Sequence, residues 1–247
     1  MKINQDTQLI KEHFQLKETI VTLIAEKEAY IEAAKNEIQK QRIELENYIK
    51  KNKTFRASLI PFNYSKDDPE IIKKMCDSSE KLNVGPMATV AGVIAEYALK
   101  SMISKGAKHA IVDNGGDIGI YSNKTISVGI YTGNKKTNKF AIQVLPKNEI
   151  IGICTSSGKV GHSFSFGNTD SVTVISHDLS IADAAATALG NLVNIKNDIK
   201  TAFKTLGEIR EISSAVIIIN DWIGLWGDIP QIMPLNVPYE LITRGRW

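Results

Sequence analysis

The chain switches between two hydrophobic rhythms. Between Glu28 and Lys51, Ile31, Ala34, Ile38, Leu45 and Ile49 recur at helical spacing, with charges filling the other positions. That spacing predicts one helix with an apolar stripe lying over a sheet. Just before it, ETIVTLIA is rich in β-branched residues and predicts a strand within His13 to Ala25. Asp68-Pro69-Glu70 predicts a helix start, with Asp68 as N-cap and Pro69 at the first helical position, running to about Lys81. VGPMATVAGVIAEYALKSMISKG, Val84 to Gly106, predicts the next helix, opened by Pro86 and closed by Gly106. Its small residues Ala88, Ala91, Gly92 and Ala95 would let another backbone come close, and tight packing on a sheet is the ordinary use of such a surface.

Short strands separated by turns follow. AIVDNGGDIGIYS predicts two strands joined at Gly115-Gly116, and TISVGIYTG with FAIQVLP predicts a hairpin around the polar loop Asn134 to Lys139. EIIGICTSS reads as a buried strand running into a Ser/Gly loop, and DSVTVIS, Asp170 to Ser176, as another strand. SIADAAATALGN predicts a helix capped by Ser180 or Asp178, and a polar helix is expected near Asp198 to Leu206. SSAVIIIN and WIGLWG close the pattern as a hairpin around Asn220-Asp221. Helices mixed with hairpins predict an α+β fold. With no repeat and no Pro/Gly/Ser linker, the expectation is one domain over residues 1–247.

Composition narrows the function classes. The chain has 247 residues, 43% hydrophobic and 23% charged, with a net charge of +3. That charge, with no dense Lys/Arg block, argues against nucleic acid. No run of about 18 apolar residues occurs, so no membrane span is expected. The start, MKINQDTQLIKEHF, has no apolar core of a signal peptide. The two cysteines, Cys76 and Cys154, form no C-x-x-C pair and fit a reducing compartment. A cytoplasmic protein is the expectation.

Three polar groups lie at the ends of apolar elements. In DNGGD, Gly115 and Gly116 before Asp117 form either a simple turn or a place where backbone approaches a ligand. In CTSSGKVGHSFSFG, Thr155, Ser156, Ser157 and Gly158 follow a buried strand, and Lys159, His162 and Ser163 come soon after. Such a loop is either hairpin turn chemistry or a cradle for phosphate oxygens. It is neither a Walker A loop nor a nucleophile elbow, because their glycine spacings are absent. Asp183 and Thr187 stand four residues apart on one face of an alanine-rich helix. Asp183 either complements the helix dipole in the first turn or, with the Thr187 hydroxyl, offers hard oxygens to a magnesium ion.

Taken in order, G-G-D, then a Ser-Gly loop followed by a His, then a strand before A-D-x-x-x-T, this pattern resembles the FAD:protein FMN transferase (ApbE) superfamily. VGPMATVAGVIAE, DNGGDI, GICTSSGKVGHSFSFGNTDSVTV and IADAAATALGN are more closely similar to an uncharacterised branch of it, as are ETIVTL, RIELENYI and SLIPF. The resemblance runs from about His13 to the C-terminal region. It implies an ApbE-like, T-fold-like α+β domain of mixed or antiparallel sheets with packed helices. It also implies FAD with magnesium, transfer of the FMN moiety to a Thr hydroxyl of an acceptor protein, and release of AMP. By the same resemblance Asp183 and Thr187 hold the metal, Gly115, Gly116 and Asp117 lie on the flavin side, and His162 is the base toward the acceptor hydroxyl. The chain departs from the transferase pattern after His162, where HSFSFGNTD stands in place of H-x-x-D-P-x-x-G.

Two other functions fit the same residues. Cys154 opens the candidate anion loop beside a Lys, and a thiol of lowered pKa there would carry sulfur as a persulfide. The branch is associated with sulfide assimilation in anaerobic archaea, which implies the same role. The other alternative is a flavin- or nucleotide-binding module without turnover.

Overall fold

A computed structural model describes residues 9–130, 140–158, 167–235 and 243. Eight strands form one sheet with every neighbouring pair antiparallel: β1 (Ile10–Leu16), β2 (Thr19–Ala25), β3 (His109–Asn114), β4 (Asp117–Ser122), β7 (Lys147–Ser156), β8 (Ser171–Ser176), β9 (Ile212–Ile219) and β10 (Trp222–Gly227), in that spatial order. A smaller antiparallel sheet takes the order β11 (Ile232–Pro234), β6 (Phe140–Val144), β5 (Ile126–Gly129). Among the described residues six α-helices complete the α+β fold: α1 (Glu28–Lys51), α2 (Lys53–Ala57), α3 (Glu70–Lys81), α4 (Val90–Ser104), α5 (Leu179–Leu192) and α6 (Asp198–Lys204). No single helix among the described residues is long and apolar enough to cross a membrane.

Strand alternation gives the large sheet two working faces. One face carries Val21, Leu23, Ala110 and Val112 against α1 and α4, and farther along Cys154, Val174, Ala215 and Ile217 against α5. The other carries Ile120, Ile153 and Ile175 against Val128, Ile142 and Val144 of the small sheet. The helical face holds the polar groups of interest where α4 and α5 cross.

The α1 helix occupies the residues its pattern predicts. The strand expected in ETIVTLIA is β2, and a further strand, β1, precedes it as its hairpin partner, because Lys17 adopts φ 55° and turns the chain without a glycine. Helix α3 begins at Glu70 with Pro69 as its N-cap. Asp68, expected to cap it, accepts hydrogen bonds from Ser65 N (2.8 Å) and the Tyr48 hydroxyl (3.1 Å). Pro86 opens a 3-10 turn, Pro86–Thr89, that leads into α4, and Gly106 closes α4 at φ +98°. The expected loop at 134–139 lies outside the described residues.

Candidate functional site

The site is built on a notch in the sheet. Gly119 of β4 and Gly152 of β7 are directly paired, and a Cβ on either would meet Leu179 at 2.8–2.9 Å. Two absent side chains thus seat the first residue of α5 on the strands. From there the helix advances about 6 Å in four residues, and a strand advances slightly farther, about 6.6 Å, in two. Asp183 therefore comes over the next pair on the same face, Asp117 and Cys154, which are also partners across β4 and β7. The Cys154 thiol lies between the Leu179 carbonyl, 3.4 Å away, and the Asp117 carboxylate, and its single proton serves one of these acceptors at a time.

Helices α4 and α5 are tied by an exchange of caps. Asp183 Oδ2 accepts from Gly92 N at 2.8 Å, and the carboxylate also accepts from the Ala91 N–H. In return Glu96 Oε2 accepts from Leu179 N at 3.1 Å. Backbone N–H groups in a helix's first turn lack partners within the helix, and here each helix satisfies the other's. Gly92 makes the approach possible: a Cβ there would lie 2.6 Å from the Leu179 carbonyl oxygen and 2.8 Å from Asp183 Cβ. The close approach expected from the small residues is thus partly to another helix. Asn114 Nδ2 adds a bond to the Ala91 carbonyl at 3.0 Å.

These carboxylates face different surroundings. Burial pushes Asp117 up, the Asp113 charge adds to it, and bonds from Cys154 and Thr155 N–H only partly offset both, leaving Asp117 at about 7. Burial, reinforced by the Asp117 charge, holds Asp183 well above the usual carboxylate range despite its two N–H donors. The same burial, with Asp117 and Asp183 beside it, pushes the Cys154 thiol well up. This reverses the expectation of an acidified, persulfide-carrying thiol. Cys154 is fully buried beneath α5 and next to negative charge, and both conditions disfavour the thiolate.

Gly115 and Gly116 form the two-residue turn between β3 and β4, at φ +67° and +107°. Gly115 is exposed with open space where a Cβ would be. Gly116 N donates to Asp113 Oδ1 at 2.9 Å, and its Cβ position lies 4.0 Å from the Thr155 carbonyl oxygen. The turn, Asp117, Cys154, the Thr155 backbone and Asp183 therefore converge.

The rest of the Ser/Gly loop divides. Thr155 points its hydroxyl to Thr173 at 3.0 Å, on the face opposite Cys154. Ser156, the last residue of β7, shares the Cys154 face by alternation and is half-buried, as is Ser157. Gly158 N donates to the Thr169 carbonyl at 3.0 Å and so is not free to hold an anion. Gly158 packs on Gly167, which packs on the Gly190 and Val193 carbonyls at the end of α5. Thr187 lies half-buried on α5 between Asp183 and that contact. Lys159, His162 and Ser163 lie outside the described residues.

Among the described residues, no group of three or more His, Cys, Asp or Glu could hold a metal, so the oxygen donors brought forward are Asp183 and Thr187. Two open grooves, about 680 Å³ beside α1 and α3 and about 310 Å³ between α6 and β10, include none of these residues. Sequence reasoning did not single out Glu96 or Thr243. Glu96 carries the same signal as Asp183, a lone carboxylate in an apolar helix.

Comparison with known proteins places this geometry in context. Residues 2–207 match the family described as "AbpE bacteria". A UPF0280 protein of Methanosarcina barkeri is 46% identical over 237 residues, covering 96% of this chain and 94% of that one. One from Archaeoglobus fulgidus is 43% identical over 236 residues, covering 94% and 98%. Among solved structures, the apo flavinyl transferase ApbE of Pseudomonas stutzeri aligns over the full length of both chains with a TM-score of 0.58 at 13% identity. The flavin transferase ApbE of Vibrio cholerae aligns with a TM-score of 0.56 at 14% identity, over 89% of this chain and 96% of that one. At such identities the likeness is one of fold.

Proposed function

The chain belongs to the AbpE bacteria family, and from that premise we propose that the site at Asp117, Asp183 and Thr187 binds a flavin nucleotide through magnesium and serves FMN transfer to an acceptor hydroxyl. The observation that carries this reading is the position of Asp183: a half-buried carboxylate held over Asp117, without a cationic side chain among the described residues. The donor set suits the ion, since a carboxylate and a hydroxyl are hard oxygen ligands and magnesium keeps its remaining positions for water and phosphate oxygens. When bound, the ion would neutralise charge on the pyrophosphate and on the phosphoryl group in transfer.

The chain's own groups have separable tasks in this proposal. Asp183 and Thr187 hold the ion. Asp117, held above the usual carboxylate range by burial, lies beneath Asp183 and faces it. The Gly115–Gly116 turn leaves open space for the flavin side of the ligand. His162 takes the proton of the acceptor hydroxyl, which would then attack the phosphorus of the FMN moiety as AMP leaves. Ser156 and Ser157 are the loop side chains assigned to phosphate oxygens, while Thr155 and Gly158 shape the strand end and the loop base.

The test is purified protein with FAD, with and without magnesium, followed by flavin absorbance and by chromatography for AMP. Magnesium-dependent binding lost in Asp183→Asn supports the site, and AMP release with a flavinylated acceptor supports transfer. Saturable binding with no AMP over hours leaves a flavin-binding module in place of a transferase. Binding that ignores both magnesium and Asp183 removes the reading.

A further inference from the structure

The DNGGD motif contributes more than its turn. Its first residue, Asp113, lies on the sheet face opposite Asp117, next to Thr22 across β2 and β3. Asp113 Oδ1 accepts Gly116 N at 2.9 Å, and Oδ2 accepts the hydroxyl of Thr243 at 2.5 Å. Thr243 lies 221 residues from Thr22, and their hydroxyls meet at 2.7 Å. Thr22 in turn meets His13 Nδ1 at 3.0 Å. Thr22 and Thr243 are buried, and His13 is exposed on the edge strand β1.

Donor counting orders every proton in this line. Thr243 gives its only hydroxyl proton to Asp113, so at the contact with Thr22 it accepts. Thr22 has then given its proton, and toward His13 it also accepts. His13 must therefore donate from Nδ1. The row ends on the carboxylate that holds the second glycine of the turn.

We infer that Asp113 and Thr243 form a clasp that fixes the Gly115–Gly116 turn, and with it Asp117, so that Thr243 is a positioning residue of the site. The inference rests on the proposed flavin site for its consequence, but not for its geometry. A glycine pair at positive φ has few restraints of its own. The Asp113 bond supplies one from below, and Thr243 keeps that carboxylate aimed. Thr243 touches no ligand in this arrangement and acts through Asp113 and Gly116.

The experiment uses the full chain and two variants, Thr243→Val and Thr243→Ser. Long-range nitrogen–proton NMR reads the neutral His13 tautomer, and hydrogen exchange reads the Gly116 amide. The wild type is expected to show His13 protonated on Nδ1, the opposite of the form free imidazole favours. Thr243→Val is expected to shift His13 toward the Nε2–H form and to speed Gly116 exchange about tenfold or more, a loss on the scale of one hydrogen bond. FAD–magnesium affinity should fall by a similar factor, and Thr243→Ser should restore all three. An unchanged tautomer and unchanged Gly116 exchange in Thr243→Val overturn the clasp. Released Gly116 with undiminished flavin affinity overturns its positioning role. If the wild type binds no flavin, the functional reading falls, and the His13 and Gly116 measurements alone decide the clasp.

Discussion

Asp178 and Asp183 stand close together at the start of one helix, yet they meet opposite electrostatic fates. Burial pushes Asp178 up, but the Lys74 ammonium, the Ser180 hydroxyl and the Ile181 N–H more than offset it, and its pKa lies below the usual carboxylate value. Asp178 is thereby the N-cap of α5, and Lys74 also reaches Glu96 at 3.6 Å. Asp183 has two backbone donors, faces Asp117 in place of a lysine, and is held high. The protein supplies a cation where the carboxylate has a structural task and withholds one, among its described residues, where the carboxylate faces Asp117. A buried pair of acids without a counterion costs free energy. A bound divalent cation would remove that cost.

The largest expected effect is a pH ramp. Asp117 and Asp183 titrate higher in the folded protein than in the unfolded chain, so the folded state binds more protons as pH rises from about 4 toward 7, and stability falls over that window. Burial is the main cause of both displacements, and the pair together is expected to lose on the order of a few kcal/mol. Asp178 has the opposite sign: its contribution is present above its unfolded value and disappears as pH falls through its lower folded value. Urea titrations across this range, without divalent cations, measure both slopes, and saturating magnesium should flatten the upper one. A flat metal-free profile between pH 5 and 7 would erase the contrast between the two aspartates.

Next in size is Asp183→Asn. It keeps an acceptor for Gly92 N but removes the charge. Magnesium-dependent FAD affinity should drop on the order of 100-fold, about 2.7 kcal/mol, while the metal-free protein gains stability at pH 8. Calorimetric titration and thermal melting on one preparation check both signs. Asp178→Ala should do the reverse, costing about 2 kcal/mol of stability through the lost cap and the stranded Lys74, with little change in ligand affinity once folded. Smallest is Thr187→Val, which removes a neutral oxygen. It should weaken magnesium-dependent binding by about tenfold or less and leave the melting temperature nearly unchanged.

Much of the architecture was legible because it is local. The stripe of Ile31, Ala34, Ile38 and Leu45, the Gly115–Gly116 turn and the hairpin at Asn220-Asp221 each carry their instruction within a few residues. The β1–β2 turn was hidden because Lys17 supplies a positive φ that sequence usually assigns to Gly or Asn. Strand β11 is three residues long and ends in proline, too short to show a period. In the candidate site, Asp183 was visible as a carboxylate in an apolar helix. That Cys154 lies beneath that helix rather than open to a lysine was not, because it depends on Leu179 seated on Gly119 and Gly152, far apart in the chain. The exchange between Glu96 and Leu179, and the reach of Thr243 back to Asp113, are likewise products of topology.

The paired gap at Gly119 and Gly152 works like the detent of a ratchet. A Leu side chain drops into it, so α5 has one favoured stop along the strands, and any slide would drive a bulky group over paired backbone. The spacing between the stop and the carboxylate is one turn of helix. A single residue inserted between Leu179 and Asp183 would swing the carboxylate about 100° around the helix, and with it the buried face that Ala184, Ala185, Ala188 and Leu189 present to the sheet. The site and the packing of α5 are therefore set by one and the same register.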